Sequence, residues 1–189
     1  MGATESWASL SFGQEALWFL WKLVPQTWTY NIVLPVGIRG ALDAGDFRAA
    51  LQFVSDRHPS LRMEFREDGG KPFQRAVEPF EVRFEEVDAA GWSDAEVEAA
   101  MVERAHQPFD LESSAAMRTT LFRRAADHHL LLIVVSHIVS DLWSLIVLVD
   151  ELRQVYAAKR EQWPCVLPPL PQTFANVVNE QRTALEGEA

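Results

Sequence analysis

Cysteine, basic charge and long apolar runs are all scarce in this chain, and each shortage excludes something. The single cysteine, Cys165, cannot close an internal disulfide, and no Cys/His spacing resembles a zinc site. Lysine and arginine number 17 against 27 aspartates and glutamates, a net charge of −10, so no basic patch is available to displace counterions from nucleic acid. Apolar runs such as Leu130 to Val135 fall far short of the ~20 residues that span a bilayer. Met1 to Ser9 carries Glu5 but no lysine or arginine, which is not a secretory n-region. Repeats, glycine-rich phosphate loops, a GxSxG elbow and HExxH are also missing. What is present is a globular composition, 48% hydrophobic over 189 residues, enough for one domain with a real core. The expectation is a cytoplasmic α/β protein with no metal site, no membrane segment and no nucleic-acid partner.

The periodicities predict an order of elements. Ser11 and Gln14 form a capping box opening a helix to Leu23 that is apolar nearly all round, as a buried helix or one facing a second domain would be. Ile32, Leu34, Val36 and Ile38 alternate as a half-buried strand, and Pro35 favours an edge position. Asp43 opens a second helix with Phe47, Ala50, Leu51 and Val54 on one face, ended near Pro59. Leu61, Met63 and Phe65 alternate, then Asp68-Gly69-Gly70 turns the chain back into Phe73 to Val77. A short strand around Val82 to Val87 precedes a second capping box, Ser93 with Glu96. Met117 to Arg123 and His129 to Val135 read as paired strands, the second buried on both faces. Asp141 to Lys159 is a long helix, Trp163 to Pro171 a stiff proline-rich connector, and Gln172 to Leu185 a last amphipathic helix.

The chemistry concentrates in Ser136-His137-Ile138-Val139-Ser140-Asp141. A buried strand ends, an imidazole follows at once, and a carboxylate stands four residues on at a helix start. Strand ends in α/β folds project side chains into clefts, where a histidine can accept a proton at neutral pH. On spacing alone the simpler reading is a satisfied loop histidine and an ordinary N-cap. Ser136 and His137 are adjacent and so rarely point together, which disfavours a Ser-His nucleophile. His128 and His129 alternate to opposite faces, against a shared metal, while His58 and His106 sit at helix ends.

Ser136-His137-Ile138-Val139-Ser140-Asp141-Leu142 resembles the HHxxxDG motif of condensation domains from nonribosomal peptide synthetases and hybrid polyketide synthases. Leu10-Ser11-Phe12-Gly13-Gln14 with Leu17-Trp18-Phe19-Leu20 resembles the family's SxAQxRLWFL. Tyr30-Asn31-Ile32 resembles its YNI segment, Arg57 to Phe65 its RHExLRTxF motif, and Pro108-Phe109-Asp110-Leu111 its PFDL segment. Leu167 to Arg182 is similar to the proline-rich stretch and helix that lead between the family's two lobes. The resemblance implies a chloramphenicol-acetyltransferase-like N-terminal lobe at residues 1–171, a mixed sheet flanked by helices. Residues 172–189 would be a helix leading toward a missing C-terminal lobe.

It further implies an acyltransferase, acting when both lobes are present, that joins a carrier-bound acyl or aminoacyl thioester to an amine. Donor and acceptor carrier protein domains would be the partners, their phosphopantetheine arms carrying the substrates, with no cofactor bound by this chain. His137 corresponds to the motif's second histidine, as general base or as the group orienting the nucleophile. Ser136 and Asp141 would support the loop, and Leu142, Trp143 and Ser144 would border the substrate tunnel. The resemblance also points to Arg62 as the cation paired with Asp141, with Arg57 second. Two departures stand out: Ser136 replaces the motif's first histidine and Leu142 its glycine. Ala16 and Asn176 likewise replace a usual arginine and aspartate. A branched side chain at 142 would narrow or reroute the donor passage, or mark a degenerate docking module. A hydroxyl acceptor, giving an ester, is a further alternative.

Overall fold

The element order is set by where apolar alternation gives way to helical spacing. A computed structural model of the chain describes residues 7–78, 80–113, 116–172 and 174–186. Met1 to Ser6 and residues 187–189, part of the first and last segments read above, lie outside that description, as does the Leu185 side chain. Strand β1 (Ala8–Ser9) leads into α1 (Phe12–Leu23), β2 (Asn31–Arg39) and α2 (Ala44–Arg57). A 3-10 turn (Pro59–Arg62) precedes β3 (Met63–Asp68), β4 (Lys71–Ala76), β5 (Phe84–Asp88) and α3 (Asp94–Ala105). Then come β6 (Met117–Ala125), β7 (His128–Ser136), α4 (Leu142–Glu161) and α5 (Phe174–Glu186).

Two sheets result. The larger has the order β2-β7-β6-β5, with β7 antiparallel to both neighbours and β5 parallel to β6. The smaller has the order β1-β4-β3. Pro35 sits on edge strand β2, where a missing ladder donor is tolerated. β7 is central and buried from Leu131 to Ser136 on both faces, in keeping with its unbroken Leu/Ile/Val run. Leu130 and Leu132 look toward α3, bounding an apolar groove with Val97 and Met101. Leu131, Ile133 and Val135 share the other face with their β2 partners Val36, Leu34 and Ile32. The β3–β4 hairpin turns at Gly69 and Gly70, both at positive φ (57° and 78°), which glycine adopts without strain.

Both capping boxes form as the sequence indicates, Ser11 with Gln14 and Ser93 with Glu96. α2 packs against α4 through apolar faces that include Phe47, Leu51, Leu148 and Leu152. One expectation needs correction. α1 is not covered on several sides: only Gln14 and Trp18 are buried along it, while Phe19 and Leu23 are each 62% exposed. Its apolar circumference exceeds what this chain packs against it. Among the described residues no helix is long and apolar enough to cross a membrane. No group of three His, Cys, Asp or Glu side chains among them could hold a metal ion.

Candidate active site

The site forms where β7 runs out. Ser136 is the last ladder residue, opposite Asn31, and its N–H donates to Ala116 O at 2.8 Å. The chain then makes a tight turn into α4. His137 N–H donates to Tyr30 O (2.8 Å), and Val139 N–H donates back to Ser136 O (3.1 Å). Ile138 and Val139 are buried and pull the turn inward. His137 is left exposed at its outer side.

The imidazole has a defined orientation. Nδ1 lies 2.9 Å from Ser140 O. A carbonyl can only accept, so this contact assigns the proton to Nδ1 and leaves the Nε2 lone pair available in the neutral ring. Among the described residues no hydrogen bond engages Nε2. The ring stands at a cleft of about 300 Å³ whose wall includes Gln14, Leu17, Ser60, Ser144 and Phe174. Stretches far apart in sequence therefore meet at one histidine.

Asp141 does not occupy the position expected of it. It is exposed and caps α4: its Oδ1 accepts from Ser144 N–H and from Ser144 Oγ–H, both at 2.7 Å. The Ser144 hydroxyl, then its main-chain N–H and, more weakly, nearby His137 hold the Asp141 carboxyl below the ordinary aspartate range. Arg62 is buried elsewhere, donating to Val77 O (3.0 Å) and Asp56 O (3.4 Å) and pairing with Glu78 at 2.9 Å. Arg57 donates to both oxygens of Glu151 (3.2 and 3.1 Å) and to Pro168 O. The expected Asp141–Arg62 pair is thus absent, and so is the Asp141–Arg57 alternative. An N-cap carboxylate already has two donors and water, so it has no need of a buried cation. Arg62 instead fastens the base of the β3–β4 hairpin to the end of α2.

The remaining candidates divide. Ser136 is buried and faces a different small cavity, beside Tyr30 and Asn31, so it and His137 do not converge. Ser144 borders the His137 cleft. Leu142 and Trp143, the first residues of α4, stand 69% and 72% exposed and do not contribute to its wall. Sequence reasoning missed one arrangement. The Gln14 side-chain amide faces that of Gln74 on β4, and Gln14 Nε2 also donates to Ile138 O at 3.0 Å, directly beneath the His137 turn. Glutamine rather than glutamate in the capping box was the available signal, since only the amide brings donors.

A histidine at the end of a central strand, lining a cleft in a mixed α/β layer fold, is a candidate acid–base site. The Condensation domain family profile matches residues 4–189, and the chain belongs to that family. It is 37% identical over 183 residues to a linear gramicidin synthase from Brevibacillus parabrevis, an alignment covering 95% of this chain and 2% of that protein. It is 35% identical over 178 residues to the isonitrile lipopeptide synthase of Mycobacterium tuberculosis, covering 93% of this chain and 7% of that one. The starter condensation domain of rhizomide synthetase RzmA has the same fold, with TM-score 0.87, 22% identity, and coverage of 95% of this chain and 44% of that structure. The X-domain in its complex with OxyB from teicoplanin biosynthesis gives TM-score 0.88 at 28% identity, covering 100% of this chain and 40% of that one. The chain therefore spans less than half of these solved relatives and a few per cent of the curated ones.

Proposed function

We infer that this chain supplies the first lobe of an acyltransferase that joins a carrier-bound thioester to an amine, with His137 as the group that meets the nucleophile. The observation carrying this reading is the ring orientation: Ser140 O holds the Nδ1 proton, no hydrogen bond among the described residues engages Nε2, and His137 lines the cleft. In the reaction the amine attacks the thioester carbonyl and passes a proton to Nε2. The C–N bond forms as the C–S bond breaks, and the departing sulfur takes that proton. Ser144 and Asp141 keep α4 capped beneath the turn, and Tyr30 O keeps the His137 main chain seated. The same geometry would serve an alcohol nucleophile, giving an ester.

Residues 1–171 would form this lobe and 172–189 lead toward a second one. The exposed apolar residues at the start of α4, Leu142, Trp143 and Ile146, are the surface a second lobe would cover. Donor and acceptor carrier domains are the partners this reading requires, with phosphopantetheine as the tether of the substrates. The test uses the full-length protein with loaded carriers: His137→Ala lowers transfer by at least ~10²-fold, the scale of a positioned proton-transfer group. Undiminished transfer rejects the assignment. The 189 residues alone should show no turnover, because water reaches His137 freely.

A second reading is a docking module, favoured by the leucine at position 142 and by the likeness to an X-domain that is complexed with another protein. Absence of transfer from any loaded pair in the unaltered protein, with retained carrier or protein binding, selects it.

A further inference from the structure

The turn that presents His137 is held from below by a side chain that begins 124 residues earlier. Its main-chain N–H groups go to Ala116 O, Tyr30 O and Ser136 O. The Ile138 carbonyl, one peptide beyond the histidine, is taken instead by Gln14 Nε2 at 3.0 Å. Gln14 is 4% exposed, and each hydrogen-bonding position of its carboxamide has a partner. Oε1 accepts from Ser11 N–H (3.0 Å) and Gln74 Nε2 (2.9 Å), while Nε2 donates to Gln74 Oε1 (2.9 Å) and Ile138 O. Gln74 is 1% exposed and donates its second N–H to Ser9 O at 3.1 Å.

Two buried amides closed on each other in this way have one orientation. Rotating the Gln14 amide by a half-turn would set carbonyl oxygen against the Ile138 carbonyl and amide nitrogen against the Ser11 N–H. Both exchanges leave buried polar groups without partners, which is costly in a dry interior. The pair therefore fixes the place of Ile138 O. The His137 ring is held by Ser140 O, two residues beyond Ile138 on the same turn.

We propose that Gln14 and Gln74 are positioning residues for His137: the closed amide pair sets the turn, and the turn keeps the proton on Nδ1 and Nε2 at the cleft. The consequence for rate rests on the function inferred above; the consequence for the ring does not. A merely structural role makes a different forecast. A structural role alone forecasts lost stability in a pair that only fills the same space, because Ser11 N–H, Ile138 O and Ser9 O lose their partners, while the His137 ring keeps its tautomer. Gln14→Met combined with Gln74→Met is that replacement, since methionine matches glutamine in length.

The test is nitrogen-resolved NMR of the histidine rings in the 189-residue chain, above the pH at which imidazoles titrate. The unaltered chain should show His137 with two well-separated ring-nitrogen signals, the pattern of one neutral tautomer. In the double variant those two signals should move together while the other four histidines keep theirs. Through-bond coupling from Gln14 Nε2 to the Ile138 carbonyl should be measurable in the unaltered chain. If the double variant does not fold, Gln74→Met alone is read in the same way. Separated His137 signals in every folded variant, or missing coupling in the unaltered chain, overturn the proposal whatever happens to melting temperature. In the full-length protein kcat should fall roughly 10–100-fold with KM little changed, the scale of a small misplacement at a reacting centre. Lack of transfer by the unaltered protein would reject the function while the ring measurement still decides the positioning.

Discussion

Two of the histidine–carboxylate neighbourhoods among the described residues are built in opposite ways. His137 and Asp141 are four residues apart in sequence, yet the ring bonds to a main-chain carbonyl and the carboxylate to a helix N-terminus. His58 and Glu151 are 93 residues apart, yet His58 Nε2 lies 2.7 Å from Glu151 Oε2, with Arg57 on the same carboxylate. In the second cluster the histidine is committed, largely out of water, to joining the end of α2 to α4. In the first the ring keeps one nitrogen for an outside partner. Closeness in sequence brings no bond between the first pair, and the second pair meets where sequence offers no hint.

Breaking the two neighbourhoods should therefore cost very different amounts. Glu151→Ala leaves Arg57 and His58 facing each other without their shared anion in a largely buried place. It should lose about 3–5 kcal/mol of stability, read from the urea midpoint. Asp141→Ala removes only a cap and should lose about 1 kcal/mol, with Asp141→Asn losing less. Because the folded state holds the Asp141 carboxyl below its unfolded pKa, its contribution is complete above the unfolded value. That contribution is lost as pH falls through the folded one, so the Asn variant should show a flatter acid limb in a pH-dependent unfolding series. His137→Ala should shift stability by less than about 0.5 kcal/mol, the range for an exposed residue, as a thermal melt would report. The smallest effect sharpens the contrast most. A double-mutant cycle between Arg62→Met and Asp141→Asn should give coupling near zero, within about 0.5 kcal/mol. A coupling well above that would restore the ion pair the geometry lacks.

The sheets were largely legible because local alternation and turn chemistry decide them. Pro35 announced an edge, Gly69-Gly70 a hairpin, and the run ending at Val135 a central strand. His137 was legible as a strand-end histidine and through the family motif around it. Its surroundings were not. Asp141 carries the same sequence mark whether it caps a helix or pairs with an arginine, and only geometry separates the two. Arg62 ends a 3-10 turn whose direction no periodicity encodes, and the turn aims it at Val77 and Glu78. Gln14 was visible as half of a capping box, but its amide donors meet partners on β4 and after β7. Such long-range meetings leave no trace in local spacing. The exposure of Phe19 and Leu23 was hidden for a related reason: apolar character shows a need for cover, and not whether this chain provides it.

The partners of α1 also set a timetable. Trp21 Nε1 donates to Phe109 O, 88 residues on, Gln14 waits 124 residues for Ile138, and Arg182 reaches back 167 residues to Glu15. A ribosome adding ~5–20 residues per second makes α1 early and delivers Ile138 on the order of ten seconds later. Until β3 and β4 are made Trp18 lacks Phe65 and Gln14 lacks Gln74, 60 residues on, and Trp21 waits longer still for Phe109. Contacts this distant make closure slow as well as late, since the intervening chain must be ordered before they form. α1 is thus made well before it is fully secured, and holdase chaperones would meet this chain at the aromatics of that helix.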